Sequence, residues 1–153
     1  MSRKIIIEFP DANIKCTAKL LDKEEPEMCD RFWDALEKPL KMIGQHTLST
    51  GDWCSGFPRP PKHYVKVGSQ ANPIGKKRLM LTQIEPGSIV YAVNVLKFAY
   101  GPHITEPLLA PGPVVAKVDE ECLDNFFKGG RSVWNSHYMT HRLVTIIIRR
   151  EEE

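Results

Sequence analysis

The chain has 153 residues, 42% hydrophobic and 26% charged, with a net charge of +2 from 21 Lys+Arg against 19 Asp+Glu. Folding at that length buries about 68–70% of the unfolded surface, enough for one real core, and the composition excludes a disordered chain, a coiled coil and a collagen-like fibre. The near-even charge balance lacks the basic stripe of a nucleic-acid binder, and the longest apolar stretch, residues 143–148, is far short of the roughly 20 residues of a membrane-spanning helix.

Residues 4–9 are rich in Ile and predict a strand. Pro10-Asp11-Ala12-Asn13 predicts a turn, and residues 14–21 alternate apolar and polar, so the two strands form a hairpin. Residues 1–8 carry no signal-peptide pattern, so a cytoplasmic location is expected. A helix follows, with Asp22 as its predicted cap and Glu24, Glu25 and Glu27 in a first turn whose dipole favours negative charge. Pro26 suits an early helical position, Cys29, Phe32, Trp33 and Leu36 form one apolar face, and Pro39 stops the helix.

Strands are expected over residues 42–48, around Trp53, and over 63–67, with a loop over 68–77 and a further strand over 79–84. After the turn Glu85-Pro86-Gly87-Ser88, residues 89–100 carry the strongest β signal and are long enough for two strands broken near Asn94. Residues 101–113 read as a Pro-rich loop and 114–118 as a strand. Asp119 then caps a short helix with Leu123, Phe126 and Phe127 inward, Gly129-Gly130 stops it, and residues 143–149 close the chain as a strand. Eight or nine strands and two helices without a βαβ rhythm predict one domain over residues 1–153, a mainly β closed barrel with helices at its openings.

Several segments, taken in order, resemble a known family: Asp22-Lys-Glu-Glu-Pro-Glu-Met-Cys-Asp-Arg-Phe-Trp, His46, the Gly-Asp-Trp-Cys-Ser-Gly turn, Glu85-Pro-Gly-Ser-Ile-Val-Tyr, Phe98-Ala-Tyr-Gly-Pro, and the Val-Ala-Lys-Val and Leu-Asp-Asn-Phe-Phe pieces. Across residues 4–135 the chain resembles small bacterial and archaeal proteins of cyclophilin-like barrel fold, a family of unknown function. The resemblance implies an eight-stranded barrel capped by two helices. Related barrels in 5-oxoprolinase and allophanate hydrolase subunits imply a small polar ligand by fold analogy. The Phe-His-Arg and Gln-Gly-Gly-Asp segments of prolyl isomerases of this fold are missing here.

The Gly51–Gly56 segment is the richest in chemistry: its glycines leave amide N–H groups open to a ligand, Trp53 is a flat wall with one donor, and Cys54 and Ser55 are nucleophiles if a base such as His46 adjoins them. The alternative is a turn with a packing Trp. Tyr100 and His103 follow the strongest strand, with Tyr91 on it, and His103 with Glu106 forms an acid–base pair if both face one pocket. Arg59, between two prolines, presents a guanidinium suited to a carboxylate. His137 and His141 have the i, i+4 spacing of metal ligands, but Tyr138 stands where a metalloprotease motif needs Glu and no third ligand is signalled, so no metal is assigned. The stretch from Gly68 to Lys77 lacks the spacing of a phosphate loop. No C-x-x-C pair occurs among Cys16, Cys29, Cys54 and Cys122, which are expected as free thiols, and no cofactor is expected.

The leading reading is therefore a barrel that binds, and as an enzyme hydrolyses or isomerises, a small amide- or carboxylate-bearing metabolite at one mouth. His46, His103 and Glu106 are the catalytic candidates, and Trp53, Cys54, Ser55, Arg59, Tyr91 and Tyr100 the binding ones. The alternatives are a non-catalytic assembly subunit or ligand sensor, and a prolyl isomerase with a rebuilt site. A homodimer paired through the β-branched edge at residues 143–148 is a further hypothesis.

Overall fold

The computed structural model describes residues 2–59, 79–92 and 95–152. Eight antiparallel strands form a closed barrel: β1 (Lys4–Phe9), β2 (Ile14–Leu20), β3 (Leu40–His46), β4 (Gly51–Pro58), β5 (Ser88–Ala92), β6 (Val95–Ile104), β7 (Val114–Val118) and β8 (Val144–Arg150). Their order around the barrel is β1-β2-β7-β5-β6-β4-β3-β8. The mainly β barrel with two helices expected from the residues is the observed fold.

Alternation sorts the side chains. Ile5, Ile7 and Phe9 of β1 and Cys16, Ala18 and Leu20 of β2 point inward and are buried. Fully burying one Ile or Phe contributes about 1.5–3 kcal/mol, so this period-2 pattern pins the register. The expected division of this run into two strands is observed, since β5 pairs antiparallel with β6 with Ala92 opposite Val95; residue 94 itself lies outside the described residues. Strand β6 is longer than expected and takes in Gly101–Ile104, the start of the anticipated loop, because Gly51 of β4 pairs with Ile104.

Helix α1 (Pro26–Ala35) covers one end of the barrel, inserting Met28, Cys29 and Phe32 into the core. Its cap is Glu25; Asp22 instead accepts hydrogen bonds from Arg3 N (2.9 Å), Nε (3.0 Å) and Nη2 (2.6 Å). A carboxylate that close to a guanidinium gains more from a forked ion pair than from a helix end.

Helix α2 (Leu123–Trp134) covers the other end, preceded by a 3-10 turn at Glu120–Cys122 and followed by a π turn at Asn135–Met139. It runs straight through Gly129 and Gly130, which the sequence marks as its stop. A Cβ at Gly129 would stand 2.5 Å from the Phe9 ring, so these glycines are close-approach sites, not terminators. The 3-10 turn also separates Asp119 from α2, and its carboxylate accepts from Thr17 Oγ1 on β2.

The strand expected over 79–84 is a single bridge, Met80 to Leu109, followed by a 3-10 turn at Leu81–Gln83. Its apolar side chains Leu81 and Ile84 pack on the outside of the barrel against Trp53, Val90, Ala99 and Ala110. The strand and loop anticipated over 63–67 and 68–77 lie outside the described residues. Strand β8 pairs with β1 on one side and β3 on the other, so closure leaves it no free edge and removes the edge-pairing route to a homodimer. Among the described residues no helix is long and apolar enough to cross a membrane.

Candidate functional site

The interior of the barrel is filled from end to end by one apolar core that includes Phe32 and Tyr91 at the α1 end and Phe98, Tyr100 and Phe126 toward α2. The helices therefore plug the positions of the two mouths, and the concavities described here lie on the outer wall.

One of them is a cleft of about 360 Å³ on the outer face of β5 and β7. Two segments wall it. On one side the chain leaving β2 is tied down: Leu21 N donates to Val115 O (2.8 Å) and Glu25 N to Leu21 O (2.9 Å), which holds Leu21, Glu24 and Glu25 at the rim. On the other side Leu81 N donates to Leu108 O (2.7 Å) and Ala110 N to Leu79 O (2.8 Å), presenting Leu79, Gln83 and Glu85. Outward-facing Ser88, Val114 and Lys117 complete it.

The polar groups of the cleft are distinct in state. Lys117 Nζ donates to Glu85 Oε2 at 2.9 Å, and that hydrogen bond holds the Glu85 carboxyl below the usual carboxylate range. Gln83 Oε1 accepts from Met80 N at 3.0 Å, which turns its amide NH₂ away from that bond. Glu25 is 4% exposed and Glu24 is exposed at the rim. Ser88 is fully buried and its Oγ has no hydrogen-bond partner among the described residues. A buried hydroxyl without a partner costs about 1–3 kcal/mol.

The residues singled out from the sequence fall into four separate places. His46 and Tyr100 do meet: Tyr100 Oη lies 2.6 Å from His46 Nε2. His46 Nδ1 lies 2.6 Å from Thr47 O, so Nδ1 carries the proton and Nε2 accepts from the tyrosine. Burial lowers the His46 pKa and pushes Tyr100 up to about 12, so both stay neutral at pH 7. The Trp134 and Tyr138 rings stand edge-on to the imidazole at 5.0 and 6.4 Å, and Tyr138 Oη donates to His46 O. This is a polar pair sealed beneath α2 and the π turn.

His103 is exposed at the far end of β6, and its backbone N donates to Asp52 Oδ2 at 3.1 Å. Glu106 accepts from Thr50 Oγ1 (3.0 Å) and from Ser49 Oγ, tying the loop after β6 to the start of β4. Tyr91 sits at the opposite end of the barrel from Tyr100, 5.0 Å from the Phe32 ring, with burial pushing its hydroxyl up to about 12.

On β4, Cys54 points into the core and is completely buried, its thiol pushed up to about 12 by desolvation, so a thiolate is negligible at pH 7. Trp53 faces outward but is 3% exposed beneath Leu81 and Ile84, while Ser55, also outward, accepts from Lys97 Nζ at 2.7 Å. Arg59 is exposed and lines a shallow groove of about 820 Å³ with Phe57 and Ile43. Among the described residues no three His, Cys, Asp or Glu side chains are grouped to hold a metal.

The cleft residues were hidden in the sequence because they serve other patterns there: Glu24 and Glu25 read as first-turn acids and Ser88 as a turn residue. The legible signal was a lysine inside an apolar strand, Lys117 in Val-Ala-Lys-Val, since only an outward position tolerates it.

No family model and no curated protein matches this chain. Among solved structures it is similar to McbB in complex with tryptophan, with a TM-score of 0.82 and 24% identity over 97% of this chain. The chain spans 45% of the length of McbB, and a similarity at that identity establishes the shared fold alone.

Proposed function

We propose that this protein binds a small polar metabolite carrying an amine, of the amino-acid class, in the cleft on the outer wall of β5 and β7. The observation that carries the reading is the cleft itself, in which the exposed Glu24 at one rim faces Gln83 and Lys117 across an apolar wall. Carboxylates in a concave site attract an ammonium; Gln83 and Lys117 suit a carboxylate or amide group; Leu21, Leu79 and Val114 give an apolar wall. The volume of about 360 Å³ lies at the small end of ligand pockets. McbB bound to tryptophan supports the ligand class by analogy of fold.

The closed eight-stranded barrel with a helix at each end supports membership of the cyclophilin-like family of unknown function that the sequence resembles. For turnover of the bound compound, by hydrolysis or isomerisation, Glu24 and Glu25 are the acid–base groups we assign. His46, His103 and Glu106 are held on other elements.

Thermal shift tests the binding step. A ligand at 100 times its Kd adds about 2.7 kcal/mol, roughly 5–10 °C for a chain of this size. Tryptophan, tryptamine, indole-3-propionate, 5-oxoproline and succinate form the panel. The expected result is a shift that needs the amine and that shrinks in Glu24→Gln and, for tryptophan, in Lys117→Met. A shift untouched by both substitutions, or none from any amine, overturns the proposal. A second reading, a subunit that assembles through the outer face of β3 and β4, is favoured by Ile43 and Phe57, 50% and 39% exposed there. Light scattering that gives a mass above 17.4 kDa, with no ligand response, selects it.

A further inference from the structure

Two charged residues that line the outer-wall cleft, Lys117 and Glu85, are anchored very differently. Lys117 lies between Ala116 and Val118, which both enter the core, so its side chain leaves the barrel wall. Its backbone is paired on both sides, opposite Lys19 of β2 and Ser88 of β5. Glu85 instead stands in the connection between the 3-10 turn at Leu81–Gln83 and β5, where Ser88 N donates to its carbonyl at 3.2 Å. The Glu85 side chain is 79% exposed and that of Lys117 35%.

Among the described residues that line the cleft Lys117 is the one cation, and its Nζ already donates to Glu85 Oε2 at 2.9 Å. Lys19, opposite Lys117 on β2, pairs with Asp119 instead. A ligand carboxylate that approaches Lys117 therefore meets another carboxylate there, and two like charges on one ammonium repel. Glu85 is the more readily displaced of the two. Its side chain stands in water, and an exposed ion pair is weak because solvent competes for both ends. A lone ammonium leaves the pair intact. A zwitterion offers Lys117 a replacement carboxylate and the exposed Glu24 an ammonium together.

We propose that Glu85 is an exchangeable counter-ion for Lys117 that makes the cleft select zwitterionic α-amino acids over compounds carrying one charge. On binding, the ligand carboxylate takes Lys117, Glu85 swings into solvent and Glu24 receives the ammonium. A bare carboxylate must displace Glu85 without that second contact, and a bare amine gains nothing from Lys117. The inference rests on the amine-binding reading of the cleft. The exchange leaves a mark on Glu85 itself: its carboxyl, held below the usual carboxylate range by the hydrogen bond from Lys117, returns toward that range once the bond is given up.

The test is isothermal calorimetry of the full chain with tryptophan, tryptamine and indole-3-propionate. The wild type is expected to bind tryptophan more tightly than either analogue. Glu85→Gln tightens tryptophan and indole-3-propionate about threefold, the size of an exposed ion pair, and weakens tryptamine, which then faces an uncovered Lys117. In a Lys117→Met chain the same substitution has no such effect. Carbon-13 titration of the wild-type Glu85 carboxyl reads the exchange without any variant: tryptophan raises its midpoint and tryptamine does not. A tryptophan-to-tryptamine affinity ratio that Glu85→Gln leaves unchanged, or changes equally in the Lys117→Met chain, overturns the exchange and leaves amine binding standing. So does tryptamine binding as tightly as tryptophan to the wild type, or a Glu85 midpoint that tryptophan does not move. Failure of every amine to bind the wild-type chain overturns the underlying reading, and the exchange with it.

Discussion

Replacing Gly130 by Ala sets local and tertiary physics against each other. In an isolated helix the change gains about 1 kcal/mol, because Gly is the poorer helix former. Here α2 lies directly on Tyr100. A Cβ at position 130 would stand 2.5 Å from Tyr100 Cδ1 and closer still to Cγ and Cδ2, where ordinary contact begins at 3.4 Å. The ring has little room to retreat, since its hydroxyl is held by His46 and its other side meets Phe127, 5.7 Å away between centroids. Overpacking of this kind costs about 1–3 kcal/mol and more where backbone must move. We expect a net loss of about 1–2 kcal/mol, the upper part of that cost less the helix gain, or roughly 2–8 °C in Tm. Urea denaturation followed by far-UV circular dichroism measures it, with Lys128→Ala on the exposed face of α2 as the control within about 0.5 kcal/mol of wild type. A Gly130→Ala protein as stable as wild type would refute the close approach of α2 to Tyr100.

Two further predictions concern ionisable groups. The folded His46 has a lowered pKa, so the unfolded chain binds its proton first as pH falls; stability is full above the unfolded value near 6.5 and declines below it. His46→Gln removes that slope while losing stability at pH 7, and an unchanged slope between about pH 6.5 and 5 would remove His46 as its source. Burial pushes Cys16, Cys29 and Cys54 up to about 12, whereas Cys122 is only partly buried, so a disulfide exchange reagent at pH 8 titrates Cys122 first and the rest only on unfolding. Rapid reaction of more than one thiol in the native protein would contradict the packing of the core.

What the residues alone determined was whatever short-range chemistry decides. The β1–β2 hairpin follows from alternation around a four-residue turn, the inward face of α1 from its i, i+3, i+4 spacing, and the separation of β5 from β6 from the length of one apolar run. These patterns need no knowledge of distant neighbours. The tertiary structure decided the rest. Gly129-Gly130 carries a helix-stop signal, yet the helix continues because Phe9 and Tyr100 occupy the space that any side chain there would take. Residues 81–83 form a 3-10 turn because the satellite core under Trp53 takes their apolar side chains from the outside of a barrel already closed. The same closure parted the candidate site residues. Inward and outward positions alternate along β4, β5 and β6, so Cys54, Tyr91 and Tyr100 went to the core while Ser55, Ser88 and Lys97 went to the wall. Which of these meet depends on strand order and register, long-range quantities set by the whole core, and no local motif encodes them.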